Sequence, residues 1–154
     1  MMQKIHNFTI AEAEKIVQQL EDATLPKEDW NHEQHLIVAL SVVARFGKRA
    51  MPEMMKRIKH YNKSVGIINS ESSGYHDTVT IFWIWAVWYF MSKQGDIQFN
   101  QAAIDTLFAT DALTKRNIWL EYYSKDVMLS PDARFEYVEA DVKPMPNINY
   151  FFEY

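Results

Sequence analysis

His32 and His35 stand three residues apart in Trp30-Asn31-His32-Glu33-Gln34-His35-Leu36. His76 follows in Gly74-Tyr75-His76-Asp77-Thr78-Val79-Thr80. Neutral imidazole is a common ligand of zinc, iron, nickel and copper. Residues at i and i+3 are neighbours on a helix, so the first two histidines could share an ion. His76, at the start of a later helix, would bring a third ring. Thr80 lies one turn beyond it and would orient that ring through its hydroxyl, the support a ligating histidine needs. Tyr75 would help to position it. Glu21 borders the apolar stripe of the first helix and sits near the C-terminus of that helix, where the helix dipole disfavours a carboxylate. An acid held against the local field there would serve as a fourth ligand or a general base, and Asp22 could take the same role. With zinc, such a site would acidify a bound water for hydrolysis. With two histidines and one carboxylate, iron fits as well. The first expectation is therefore a metal-binding protein or a small metal-dependent enzyme.

Each of these residues also has a plain structural reading. A histidine on an apolar face needs only a hydrogen-bond partner to offset its burial. His76 would be satisfied by nearby loop carbonyls, and Glu21 would be a solvated residue at a frayed helix end. His6 and His60 read as surface residues. A second functional expectation needs no metal: the same histidines would bind or protonate a small polar molecule in an aromatic cavity. The third is an interaction module, in which exposed tryptophans or the segment 147–154 mediate assembly, a homo-oligomer included.

Helices must position these groups. Thr9 and Glu12 predict a capping box opening a first helix, with Ile10, Ala13, Val17 and Leu20 on its apolar stripe. Leu25-Pro26 ends that unit. Asn31 predicts the N-cap of a second helix running to about Phe46. At 100° per residue His32, His35, Leu36, Ala39, Val42, Val43 and Phe46 share one arc, with Gln34, Ser41 and Arg45 opposite. Pro52 predicts the first turn of a third helix closing near Gly66, with Met51, Met54, Met55, Ile58, Asn62 and Val65 on its stripe. A turn-rich loop over 67–74 leads to a fourth helix, 75–93, apolar on every side for three turns and so surrounded by neighbours. Trp83, Trp85 and Trp88 on it read as core or a subunit interface more readily than as a ligand cage. A fifth helix is expected over 100–109, a sixth over 114–123, and one more turn at Ser130-Pro131. Segment 135–142 has some strand character, but Pro144 and Pro146 favour an extended tail over 135–154. The expected fold is all-α: a single domain, an irregular bundle of five or six helices around a buried, Trp-rich central helix.

Composition narrows the chemistry. The chain has 154 residues and no cysteine, which removes disulfides, thiolate metal sites and thiol nucleophiles. Four glycines and no Gly-rich phosphate motif argue against a nucleotide loop. Residues 48–63 carry a cationic run, but the net charge of -4 argues against a nucleic-acid partner. That run reads as the wet face of a helix. No G-x-S-x-G motif accompanies Ser124 or Ser130. The apolar run at 81–91 is too short to span a bilayer, so no membrane partner is expected. The N-terminus lacks the apolar core of a signal peptide, and a cytoplasmic location follows as an expectation.

These motifs together resemble a family of small bacterial all-helical proteins of uncharacterised activity. The likeness rests on the acidic stretch Leu20-Glu21-Asp22-Ala23-Thr24-Leu25-Pro26, the Trp30 to Leu36 motif, Tyr75-His76-Asp77-Thr78-Val79-Thr80, Tyr122-Tyr123-Ser124 and Ala133-Arg134. It spans most of the chain, and the two histidine motifs are its specific part. The family has glutamate where this chain has Asp77, whose side chain is shorter and reaches less far. The resemblance implies an all-α fold and a shared pocket; it implies no particular activity.

Overall fold

The computed structural model describes residues 8–152, and among these the fold is all-α with no strand. The longer helices are α1 (Ile10–Glu21), α2 (His32–Phe46), α3 (Ala50–Ser64), α4 (Asp77–Met91) and α5 (Gln101–Ala109). Short segments follow: α6 (Asp111–Thr114), α7 (Lys125–Met128) and α8 (Pro131–Phe135). His6 lies outside the described residues, and His60 is exposed on α3. No helix among the described residues is long and apolar enough to cross a membrane.

The caps form where the side chains allow them. Thr9 Oγ1 accepts from Glu12 N–H while Glu12 Oε1 accepts from Thr9 N–H, so two otherwise unpaired donors of α1 are satisfied reciprocally. Asn31 Oδ1 accepts from the N–H groups of Glu33 and Gln34 at the start of α2. Asn100 and Ser130 do the same for α5 and α8.

Two helices occupy the centre. α4 is buried on every side from Thr80 to Val87, as its unbroken apolar run requires. α2 is buried continuously from Leu36 to Val43 because α1, α3 and α4 all pack on it. Ser41, expected on a solvated face, is therefore enclosed and 2% exposed. Several core residues lie outside the expected stripes, among them Ile37, Val38 and Leu40 on α2 and Ala50 on α3. Ile16 joins the buried face of α1, and Tyr61 joins that of α3, donating its hydroxyl to the Leu25 carbonyl at 2.6 Å.

The sixth helix differs most from expectation. α6 stops at Thr114 because Lys115 turns extended, and Ile118–Glu121 forms only a 3-10 turn. This break releases the Leu113 carbonyl from any continuing helix and leaves Arg116 on a loop. The tail expected to be extended over 135–154 is irregular instead: Phe135 still belongs to α8, bends and turns follow, and Ile148–Phe151 forms a 3-10 turn; it packs on α4 and the 118–123 segment. Trp85 Nε1–H donates to the Pro146 carbonyl at 2.8 Å, Trp88 stacks on Tyr150 with centroids 4.4 Å apart, and Tyr123 donates to the Val138 carbonyl at 2.6 Å. Trp85 and Trp88 are thus spent on the chain's own tail.

Candidate functional site: a tryptophan-walled cleft beside His32 and His35

His32 is the first residue of α2, and His35 lies one turn on. Trp30, just before the Asn31 cap, stacks toward His35 with ring centroids 5.2 Å apart. That is the position at which an apolar residue before a cap meets one in the next turn and fixes the entry of the chain. His32 sits with its ring edge-on to Trp83 of α4, centroids 4.6 Å apart. The imidazoles thus stand between two indoles, one from before α2 and one from α4.

The two rings differ in their hydrogen bonding. His32 Nε2 lies 2.9 Å from the Leu113 carbonyl. A carbonyl only accepts, so Nε2 carries the proton and Nδ1 of the neutral ring keeps its lone pair. Burial pushes the pKa of His32 down, the Leu113 contact pulls it partly back, and the guanidinium of Arg116 lowers it further. His35 has no hydrogen bond on either ring nitrogen among the described residues, and its Nδ1 is enclosed without a partner. Burial, and then the neighbouring His32, press its pKa down from 6.5 to about 4. A buried polar nitrogen without a partner costs on the order of 1–3 kcal/mol, so such groups ask for an explanation.

A cleft opens against these rings. Its volume is about 270 Å³, and Trp30, His32, His35, Trp83, Arg116 and Trp119 form most of its wall. A second cleft of about 410 Å³ lies alongside and shares Asn31, His32 and Arg116 with the first; Glu33 and Phe108 line it. Arg116 is exposed and makes no ion pair among the described residues. Arg116 and Trp119 were not singled out in the sequence, where a helix expected over 114–123 hid them. Their only signal there is an arginine three residues before a tryptophan.

The other expected site residues lie elsewhere. His76 is the N-cap of α4, and both of its ring nitrogens are occupied. Nδ1 accepts from the Val79 N–H at 3.1 Å, and Nε2–H donates to the Met128 carbonyl at 2.8 Å. The lone pair a metal would need already holds a backbone amide. Its pKa is lowered first by burial, partly countered by the Met128 contact. Thr80 does not orient the ring: its hydroxyl donates to the backbone carbonyl of His76 at 2.8 Å. Tyr75 donates to Asp77 at 2.8 Å in a buried pair, and burial followed by that carboxylate raises its hydroxyl pKa far above the ordinary range.

Glu21 is engaged by two arginines. Its carboxylate takes Arg45 at 2.8 Å and Arg57 at 3.1 Å, and Arg57 also binds Glu53 at 2.6 Å. Partial burial alone would raise its pKa, but the two guanidiniums outweigh that and hold it below the usual carboxylate value. The acid placed against the dipole of α1 is thus held by arginines from α2 and α3. Asp22 accepts from Thr24 at 2.6 Å as a turn-forming residue. None of Glu21, Asp22, Tyr75, His76 or Thr80 lines either cleft.

The geometry thus brings together His32 and His35 and leaves His76 and Glu21 out. Among the described residues no three His, Cys, Asp or Glu side chains are grouped so as to hold a metal ion. What the arrangement offers is an aromatic wall, two neutral imidazoles and one unpaired guanidinium. Comparison of the chain with protein-family models, with curated proteins and with solved structures finds no match.

Proposed function

We propose that this protein is a small-molecule-binding helical domain whose site is the cleft walled by Trp30, Trp83 and Trp119. The observation that carries this reading is the ring of His35, which stands in that wall with no hydrogen-bond partner; the buried side-chain oxygens of Gln34 and Asn62 also lack one, but neither residue lines the cleft. A ligand in the cleft would bond the ring at Nε2, since Nδ1 is closed off from solvent. Three indoles line the cleft, as apolar walls with a few convergent polar groups do in ligand sites generally.

His35 acts as a hydrogen-bonding group and not as an acid. With a pKa of about 4, about one ring in a thousand is protonated at pH 7, too few to deliver a proton efficiently. A neutral imidazole instead presents an N–H and a lone pair. His32, with Nε2–H fixed on Leu113, adds a second acceptor at Nδ1.

The test uses the indole N–H signals of the tryptophans in a nitrogen–proton spectrum. A panel of single-ring fragments carrying an acid, an amide, an alcohol or an amine is titrated in. At least one fragment is expected to move the signals of Trp30, Trp83 and Trp119 while leaving that of Trp85, which is bound to the tail, in place. His35→Phe keeps the fold and abolishes or weakens the response. A panel that moves none of the three signals sinks the reading.

A further inference from the structure

Resting on that reading, we infer that the ligand of the Trp30–Trp83–Trp119 cleft is an aromatic monocarboxylate, its ring held against the indoles and its carboxylate paired with Arg116. The charge balance of the wall carries the argument. Arg116 is the cation in the wall, and no carboxylate in the described residues neutralises it. By contrast Arg45 and Arg57 hold Glu21, and Arg134 donates to the carbonyls of Gly74 and Tyr75; Arg49, also without an ion pair among the described residues, lines neither cleft. A planar guanidinium matches a carboxylate through two parallel N–H bonds.

The neighbouring groups select the charge and the cleft. Both histidines are held neutral, so they add no second positive charge. A single guanidinium balances a monoanion; a phosphate dianion would be left half-compensated. The first cleft has no acidic residue in its wall, whereas Glu33 lines the second and would repel an anion there. Three indoles line the cleft and suit an aromatic body, since ring pairs favour offset or edge-on contacts. The unpaired His35 then accepts from, or donates to, a substituent on that body.

The experiment compares phenylacetate with phenylacetamide, which share a ring and differ in the charge. Binding is followed by the indole signals of Trp30, Trp83 and Trp119 and by tryptophan fluorescence. Phenylacetate is expected to bind about tenfold more tightly, the gain falling with added salt. Arg116→Gln should erase that preference by weakening phenylacetate far more than phenylacetamide, and Arg116→Lys should restore part of it. Equal binding of the two compounds, or a preference that survives Arg116→Gln, overturns the carboxylate while the small-molecule site stands. Tighter binding of a benzylamine control than of phenylacetate overturns it too. If no compound moves the three indoles, this inference and the reading beneath it fall together.

Discussion

The starts of α2 and α4 make an instructive pair. Both carry histidine within the first turn, both lie in the two most buried helices, and both rings are neutral by virtue of burial. At α4 the histidine is itself the cap, so one nitrogen takes the Val79 amide and the other reaches the Met128 carbonyl. Around it Thr78 bridges to the tail, donating to the Glu136 carbonyl and accepting from Val138 N–H. That region is saturated. At α2 an asparagine caps the helix, so His32 and His35 are free of that duty, and His35 ends with nothing bound. The same residue type is a structural rivet at one helix and an open valence at the other, and the choice of cap decides which.

The largest expected effect separates the two by pH. The folded pKa of His35 is about 4, below the 6.5 of an unconstrained ring, so folding favours its neutral form. Its contribution is fully present above pH 6.5 and is lost as the pH falls toward 4. For a shift of this size the loss is at most about 3 kcal/mol. His32 and His76, also lowered, add in the same direction. Urea unfolding between pH 7.5 and 4 should therefore show falling stability, and His35→Phe should flatten the curve more than any other single histidine change. A parallel curve for His35→Phe would place the titrating group elsewhere.

Next in size is His76→Ala. It removes the cap of α4, worth about 1 kcal/mol, and leaves the Met128 carbonyl without its donor, worth about 1 kcal/mol more. Denaturant midpoints should report a loss of about 2 kcal/mol, with His76→Asn recovering the cap part. His32→Ala, by contrast, leaves the Asn31 cap intact and should cost less. If His32→Ala proved the costlier change, the division between rivet and open site would be reversed.

Glu21→Gln comes third. The carboxylate is 28% exposed, so its pairs with Arg45 and Arg57 are screened, and a loss of about 1 kcal/mol is expected. A double-mutant cycle with Arg57 should show the coupling, and binding at the Trp30 cleft should be unchanged. Altered ligand binding in Glu21→Gln would return that acid to the site.

Much of the fold could be read from local chemistry. Thr9 with Glu12, Asn31, Asn100 and Ser130-Pro131 are short side chains at helix starts, and their effect depends only on neighbours in sequence. His32 and His35 could be read as a polar pair on an apolar face for the same reason. His76 could not be read as a cap, because histidine seldom takes that role and its second bond goes to Met128, 52 residues away. Glu21 misled for a similar reason: its position against the dipole of α1 is local, but the arginines that explain it come from α2 and α3. Arg116 was hidden by periodicity. A helix is expected over 114–123, yet the chain breaks at Lys115, where His32 of α2 meets the Leu113 carbonyl.

That break yields the smallest prediction. Arg116 is exposed and unpaired, so Arg116→Gln should leave stability within about 0.5 kcal/mol, the range of surface changes. It should still be felt at His32, whose pKa is held down first by burial and in smaller part by the Arg116 charge. Removing that charge lets the ring titrate at slightly higher pH, an effect readable from its carbon-bound proton signals. His76, depressed by burial and Arg134 with no contribution from Arg116, should not move. A shift at His32 alone would tie the loop cation to the open histidine pair. Equal shifts at both rings would mean that Arg116 acts only through the overall charge of the chain, and the distinction between the two helix starts would lose its electrostatic half.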